Sequence, residues 1–251
     1  MVLRRRGPAA QVTDRMTIPD QLGSACRTEP RHRMAMPSNS NRRVLGVLAK
    51  TPFIRPCSPS ISKVPPVGPG WLHEVKFDGY RCQIHKDGTD VALFSKNGNE
   101  FTSRYAAVAS AVSKLPTKVV ILDAELAACG ANGSPDFGAL LRKRTNNLCV
   151  WVFDILFHNG KDLRLLPYIE RRTRMETLLL RANSTIIRYS ETFPDPVALL
   201  SACQSHGFEG IVSKRIDKPS RSGPTKDWLK VKCPNWREQN QWRHEFFSRG
   251  K

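Results

Sequence analysis

The 251-residue chain has an ordinary globular composition, with 40% hydrophobic and 25% charged residues, but 40 Lys and Arg against 22 Asp and Glu give it a net charge of +18. Such an excess indicates a polyanionic partner, nucleic acid rather than an anionic membrane, since we find no convincing basic amphipathic helix. No apolar run approaches the roughly 18 residues of a membrane span. Seven scattered cysteines without a CxxC pair argue against a disulfide framework and a zinc site, and suit a reducing cytoplasm.

The first part of the chain has no clear hydrophobic periodicity. Residues 1–47 contain nine Arg, no Lys and three acids, which predicts a disordered basic arm; an organellar transit peptide is the alternative. The prolines between Pro52 and Gly70 predict an extended strap rather than a helix or a central strand. We therefore expect a folded domain over 48–235 and a C-terminal helical tail over 236–251.

The folded domain alternates between strand and helix patterns. An Asp-Gly turn at residues 87–88 predicts a hairpin, and Thr102 or Ser103 is expected to cap a helix. Strands are predicted over 71–77, 80–86, 90–96, 119–126, 149–157, 210–215 and 227–232, and helices over 102–115, 136–144, 168–182, 194–207 and 236–247. Because strict βαβ alternation is missing, the pattern favours an α+β fold.

The segment from Glu74 to Arg81, EVKFDGYR, carries the most chemical information. Lys76 ends an apolar strand before an Asp-Gly turn, so we expect its amine at the edge of a cleft. Lysine is nucleophilic only when deprotonated, and desolvation or a nearby cation such as Arg81 lowers its pKa. Taken alone, the KxDG pattern fits a surface hairpin with an exposed lysine equally well.

Five further segments follow in a fixed order: SKNG at 95–98, LDAEL at 122–126, VFD at 152–154, EGIVSKR at 209–215 and WLKVK at 228–232. Together with the Lys76 segment they resemble the motifs of the covalent nucleotidyltransferases, the superfamily of DNA ligases, RNA ligases and capping enzymes. The resemblance covers about residues 50–235 and is greatest to the ligase domain of bacterial end-joining ligases. It implies an ATP-grasp-like DNA ligase adenylation fold of mixed, mostly antiparallel sheets with flanking helices.

The resemblance also implies the reaction. Lys76 would attack the α-phosphate of ATP and form lysyl-AMP, AMP would pass to the 5′-phosphate of a nicked strand, and the 3′-hydroxyl would then seal the nick. It places Glu74 beside the adenine and gives the other nucleotide contacts to five residues: Arg81 at the ribose, Phe153 stacked on the adenine, Lys214 at the phosphates, and Lys230 and Lys232 at the α-phosphate.

Two acids are candidates for a metal site. The resemblance implies that Glu125 contacts the ribose or the metal and that Glu209 holds Mg²⁺, with Mn²⁺ as an alternative; carboxylate oxygens suit both roles. From the residues alone, each acid could instead pair with an arginine, and Phe153 could be ordinary core. Arg104 is a further candidate for the cleft.

The sequence departs from the family pattern in several places. Lys96 stands where Arg is usual, Ser220 where Tyr is expected and Pro224 where Arg is expected. Ligases of this kind normally continue into an OB-fold domain that orients the pyrophosphate, but only 19 residues follow Lys232. We therefore expect an adenylation domain alone, which seals pre-adenylated nicks more readily than it forms lysyl-AMP.

The overall expectation is a monomeric ATP-dependent DNA ligase of the end-joining type, acting in DNA repair on nicked or broken double-stranded DNA. We expect end-joining proteins as partners, no membrane association, and a location in the bacterial cytoplasm at the nucleoid. The alternatives are an RNA ligase, a capping-type guanylyltransferase, or a degenerate nucleic-acid-binding protein. Retention of Lys76, Glu125 and Glu209 argues against the last of these.

Overall fold

The computed structural model describes residues 52–130, 137–141, 147–234 and 236–240, and the predicted basic arm lies outside them. The described strands are β1 Cys57–Ile61, β2 Trp71–Val75, β3 Tyr80–Asp87, β4 Asp90–Ser95, β5 Val119–Ala128, β6 Leu148–His158, β7 Lys161–Asp162, β8 Ile187–Tyr189, β9 Thr192–Phe193, β10 Gly210–Arg215 and β11 Gly223–Lys232. The described helices are α1 Ala106–Ser113, α2 Phe137–Leu141, α3 Tyr168–Ala182, α4 Pro196–Ser205 and α5 Trp236–Gln239. Most of the predicted terminal helix also lies outside the described residues.

The strands form two sheets, and most of the pairing is antiparallel. Sheet 1 has the order β1-β11-β10-β2-β9, and sheet 2 has the order β4-β3-β5-β6-β7 with β8 beside β6. Only the β1–β11 and β6–β8 pairs are parallel among the described strands. The proline-rich strap supplies β1, an edge strand, which agrees with its predicted extended conformation. The α+β expectation is confirmed.

Sheet 2 contains the larger core. Alternate residues of its strands point towards α1 and α3, because side chains change face at every residue of a strand. This face buries a continuous apolar cluster that includes Ile84, Leu93, Val108, Leu122 and Met175. The opposite face of sheet 2 is therefore free to carry polar groups.

Sheet 1 packs its outer face against α4. Val75, Ile211 and Val231 contact Leu199 and Cys203 in a smaller core. The helix begins at Pro196, two residues later than predicted. The carboxylate of its N-cap, Asp195, accepts hydrogen bonds from two backbone amides of the first turn.

The segment predicted as one helix over 102–115 is divided. Residues 102–105 form a 3-10 turn, and α1 follows without a side-chain cap. Thr102 does not cap the helix, because its hydroxyl accepts a hydrogen bond from Leu93 N (2.9 Å) and donates one to Glu100 (2.9 Å). Tertiary contact with β4 has replaced the local capping interaction.

The cysteines also depart in part from the expectation. Cys129 and Cys149 are bonded to each other at the ends of β5 and β6, with their Cα atoms 6.4 Å apart. Their separation of 20 residues gave no signal, because antiparallel pairing of β5 and β6 is what brings them together. The described free cysteines are buried: Cys57, Cys82, Cys203 and Cys233.

A fully buried ion pair joins α3 to sheet 2. Both side chains of Arg171 and Asp154 have 0% exposure. The guanidinium donates two hydrogen bonds to the carboxylate, of 2.8 and 2.9 Å, and a third to Leu166 O. Among the described helices, none combines the length and the apolar character that crossing a membrane requires.

Candidate active site

One wall of a cleft is the inner face of sheet 1. Lys230, Val212 and Glu74 are opposite one another on β11, β10 and β2. Two residues further along, Lys232 is opposite Gly210, whose carbonyl accepts a hydrogen bond from Lys76 N (2.8 Å). Since residues two apart share a face of a strand, Lys230 and Lys232 of β11 lie on the same side as Glu74 of β2.

The other wall is the inner face of sheet 2. Arg81 on β3 is opposite Glu125 on β5, and Phe153 lies on β6. The two walls enclose a cavity of about 350 Å³. Of the residues singled out from the sequence, the structure brings eight to its lining: Glu74, Lys76, Arg81, Lys96, Glu125, Phe153, Lys214 and Lys230.

Lys76 lies at this cavity in an ion pair. Its Nζ is 2.5 Å from Glu209 Oε2, and Lys232 Nζ is 2.9 Å from the other oxygen of Glu209. Burial would raise the pKa of Glu209, but the neighbouring Lys76 and Lys232 bring that pKa below its ordinary value. Glu209 and Lys232 do not line the cavity themselves. Glu209 contacts the lining residue Lys76, and Lys232 contacts Glu209.

Two glycines allow this arrangement. A Cβ on Gly79 would lie 2.1 Å from Leu126 O, and one on Gly210 would lie 2.1 Å from Val231 O. Gly210 also has a φ of +148°, which disfavours other residues. The glycines of the Asp-Gly and Glu-Gly motifs thus let the backbones that carry Lys76 and Glu209 approach their neighbours closely.

Glu125 has an unusual protonation equilibrium. Burial raises its pKa from 4.5 to about 8, and this effect is only partly countered by the positive charges of Lys76 and Arg81. A buried carboxylate of this kind is neutral over much of the physiological range unless a cation approaches it. Raised pKa values of this sort are concentrated at functional sites.

Arg81 is held rigidly at the base of the cleft. Its guanidinium forms a two-bonded pair with Asp123, with distances of 3.0 and 2.7 Å, and it donates to Cys57 O. It also lies 5.3 Å from the centre of the Phe153 ring. Asp123 is part of the LDAEL motif, but no local pattern predicts that its carboxylate would hold Arg81.

Glu74 and Lys214 form a buried polar cluster behind the cavity. Lys214 Nζ donates to Phe153 O (3.0 Å) and is 2.7 Å from Glu74 Oε1. The hydroxyls of Tyr168 and Ser190 also donate to the carboxylate of Glu74. The ammonium group further lies over three aromatic rings, at 4.8, 4.9 and 4.2 Å from the ring centres of Phe153, Tyr168 and Trp228.

This cluster engages the Lys214 ammonium with protein groups, whereas the resemblance implied a phosphate contact for it. Glu74 likewise contributes its carboxylate to the cluster and also belongs to the cavity lining. Tyr168 and Ser190 come from distant parts of the chain, and no local pattern marked them. Lys230 is less enclosed, and its pKa is lowered by burial and by the nearby Lys76 and Lys232.

A second cavity, also of about 350 Å³, adjoins the first. The two share Gly79, Arg81 and Lys96, and the second also contains Arg104. The other departures from the family pattern lie elsewhere: Ser220 N donates to Arg164 O, and Pro224 is exposed on β11.

A family profile described as "ATP dependent DNA ligase domain" matches residues 55–232. The chain belongs to this family. The match spans both sheets and every site residue named above, so the expected adenylation fold is confirmed. Membership of this family also confirms that the nucleotide cofactor expected is ATP.

Curated relatives and solved structures with similar chains are also described as DNA ligases. The chain is 33% identical over 245 residues to the "Multifunctional non-homologous end joining protein LigD" of Pseudomonas aeruginosa, covering 92% of this chain and 29% of that protein. It is 34% identical over 180 residues to a "Probable DNA ligase" of Dictyoglomus thermophilum, covering 63% of this chain and 30% of the relative. The chain thus spans less than a third of these curated relatives.

Among solved structures, "mycobacterial DNA ligase D complexed with ATP and MES" superposes with a TM-score of 0.65 at 30% identity, covering 71% of this chain and 60% of that one. "Chlorella virus DNA ligase-adenylate" superposes with a TM-score of 0.53 at 16% identity, covering 71% and 67%, and this similarity concerns the fold alone.

Proposed function

We propose that this chain carries out nucleotidyl transfer in ATP-dependent DNA joining, with Lys76 as the nucleophile. One observation supports this above the others: the amine of Lys76 meets a cavity between two sheets, 2.5 Å from Glu209, within a chain of the ligase family. A lysine is nucleophilic where desolvation or a neighbouring cation favours its neutral form, and the cavity places Lys230 close to Lys76.

In the first step, the unprotonated nitrogen of Lys76 attacks the α-phosphorus of ATP. The bond to the pyrophosphate oxygen breaks, pyrophosphate leaves, and Lys76 carries AMP through a phosphorus–nitrogen bond. AMP then passes to a DNA 5′-phosphate, and the 3′-hydroxyl displaces it. Lys230 and Lys232, close to Lys76, stabilise the negative charge that builds up on the phosphate.

The nucleotide is held by both walls. Phe153 stacks on the adenine and Arg81 contacts the ribose from sheet 2, while Glu74 lies at the adenine side from sheet 1. We assign Lys214 a supporting contribution to nucleotide binding, because its ammonium joins Phe153 O to the carboxylate of Glu74.

Glu125 and Glu209 would hold a magnesium ion, with Mn²⁺ as a substitute. The described residues contain no group of three or more His, Cys, Asp or Glu that could hold a metal by themselves. Mg²⁺ commonly binds through one or two carboxylates, substrate phosphates and water, so two acids suffice. Such an ion would neutralise phosphate charge, and its approach would favour the ionised form of Glu125.

The polynucleotide substrate is nicked or broken double-stranded DNA. The net charge of +18 supports phosphate-backbone binding, and the printed name of the P. aeruginosa relative supports end joining. We further propose a monomer that works with end-joining proteins in the bacterial cytoplasm, at the nucleoid.

The test is to incubate the protein with α-labelled ATP and Mg²⁺ and to measure label that stays on the denatured chain, survives alkali and is released by warm acid, as a phosphorus–nitrogen bond requires. Lys76→Ala is expected to abolish the label, because it removes the amine that we propose attacks ATP. Lys161→Ala, at an exposed lysine of β7, serves as the matched control and should be labelled like the wild type.

Persistent label in Lys76→Ala would overturn the choice of nucleophile. Preferential labelling by GTP would instead indicate a capping-type enzyme. Sealing of a pre-adenylated nick without any protein labelling would locate a defect in the first step.

A further inference from the structure

Three aromatic rings form a continuous stack that crosses from sheet 1 to sheet 2. Phe77 and Trp151 are nearly parallel, with ring centres 4.2 Å apart and an angle of 7°. Phe208 meets Phe77 edge-on at 6.4 Å and 88°. The Arg188 guanidinium lies 5.0 Å from the centre of the Trp151 ring. We call Phe208, Phe77 and Trp151 the aromatic stack.

Each ring of the aromatic stack is next to a residue of the proposed chemistry. Phe77 directly follows Lys76, and Phe208 directly precedes Glu209. Trp151 is opposite Glu125 in the register of β5 and β6. Ring contacts therefore join the segments of Lys76 and Glu209 to β6, the strand that pairs with the strand of Glu125.

Trp151 is the member of the aromatic stack that lies on sheet 2, where it contacts the central ring, Phe77. It is not among the residues lining either cavity, whereas Phe77 lines the cavity of Lys76. Its indole Nε1 is buried without a hydrogen-bond partner among the described residues. The ring is thus held through its faces, and its position depends on Phe77 and Arg188 rather than on a polar anchor.

We propose that Trp151 is a positioning residue that fixes Lys76, through Phe77, for attack on the nucleotide; this inference rests on the proposed function. Nucleophilic attack depends steeply on geometry, and a displacement of about 1 Å can cost on the order of a hundredfold in rate. Because Trp151 does not line the cavity, its loss should change the rate of lysyl-AMP formation and leave the affinity for ATP nearly unchanged.

The experiment compares Trp151→Leu, Trp151→Phe and the wild type in the full chain. Phe94→Leu is the matched control, since Phe94 also belongs to aromatic contacts of sheet 2 but lines neither cavity. For each protein, single-turnover labelling gives kcat, here the maximal rate constant of lysyl-AMP formation, and KM, here the ATP concentration at half that rate. Amide hydrogen exchange is measured separately, by mass spectrometry, for peptides covering residues 74–79 and 208–212.

For Trp151→Leu we expect kcat to fall by about tenfold to a hundredfold with KM within about twofold of the wild-type value. Trp151→Phe should recover most of the loss, because it restores a ring face. Exchange should accelerate in both peptides of Trp151→Leu and in neither peptide of Phe94→Leu. If Trp151→Leu does not fold, Phe208→Leu replaces it, with a smaller loss of kcat in the same direction.

A rise in KM at constant kcat, or wild-type exchange in both peptides, would overturn the positioning role. A loss in Phe94→Leu equal to that in Trp151→Leu would do the same, since it would indicate general destabilisation. If the wild type takes no label from ATP, the proposed function fails, and the exchange measurements alone then decide whether the aromatic stack holds the Lys76 segment.

Discussion

Two ion pairs in this protein differ in how far they are enclosed, and we propose that one is structural and the other is part of the reactive site. Arg171 and Asp154 are closed off completely, with 0% exposure of both side chains and two parallel hydrogen bonds. Lys76 and Glu209 make a single 2.5 Å contact, and the lysine side chain keeps 24% of its surface exposed at the cavity. The first pair has no route to another partner, whereas the second can exchange its partner for a substrate.

The residue types match these roles. A guanidinium stays charged and presents a rigid fork of donors, which suits a permanent bidentate bond. An ammonium on a flexible stem can lose its proton and change direction, which a nucleophile must do. The two ion pairs should therefore differ in how much each contributes to the free energy of unfolding.

Arg171→Met should lower the free energy of unfolding by about 3–5 kcal/mol, because it leaves the Asp154 carboxylate buried without its counter-ion. Urea denaturation followed by circular dichroism measures this. The double variant Arg171→Met/Asp154→Leu should recover part of the loss, since both charges are gone. A loss below about 1 kcal/mol in the single variant would contradict the structural role of the pair.

Glu125 provides an intermediate case, a buried acid close to cations. Its folded-state pKa of about 8 exceeds the ordinary value of 4.5, so the folded protein binds more protons than the unfolded chain between these limits. Stability should therefore fall as the pH rises from about 4.5 to about 8, by on the order of a few kcal/mol.

Denaturation curves across that pH range, without divalent cations, test this expectation. Glu125→Gln cannot ionise, so the difference in unfolding free energy between the wild type and this variant should shift steadily in favour of the variant as the pH rises. A difference that stays constant with pH would show that the pKa of Glu125 is ordinary.

Glu209→Gln should change the free energy of unfolding by only about 1 kcal/mol or less, because Lys76 and Lys232 remain accessible to water. The same variant should slow protein labelling by on the order of a hundredfold, since it removes a carboxylate that we propose holds Mg²⁺ at the phosphates. Glu209→Gln is thus expected to have a small effect on the free energy of unfolding and a large effect on the rate of labelling. A stability loss as large as that of Arg171→Met would remove the distinction between the two ion pairs.

The part of the site that could be predicted from sequence is the part governed by strand periodicity. Lys230 and Lys232 share a face because they are two apart, and the hairpin of β3 and β4 follows from its Asp-Gly turn. The motif residues then converge because β2, β10 and β11 are adjacent in one sheet. The family resemblance indicated which of these residues are candidates for nucleotide binding and catalysis.

The remainder depends on contacts between distant segments. The pairing of Arg81 with Asp123 spans 42 residues, and the bond from Ser190 to Glu74 spans 116. Neither contact produces a periodic pattern in the sequence. The same reason explains why Thr102 bonds to β4 instead of capping a helix, and why Cys129 finds Cys149.

The short loop that carries Lys76 is fastened at both of its ends. Its first amide is hydrogen-bonded to Gly210 in sheet 1, and its last residue, Gly79, lies directly against the backbone of Leu126 in sheet 2. A large separation of the two sheets would therefore displace Lys76. In the proposed reaction, nucleotide would therefore enter and leave through the open mouth of the cavity while the Lys76 loop stays fastened to both sheets.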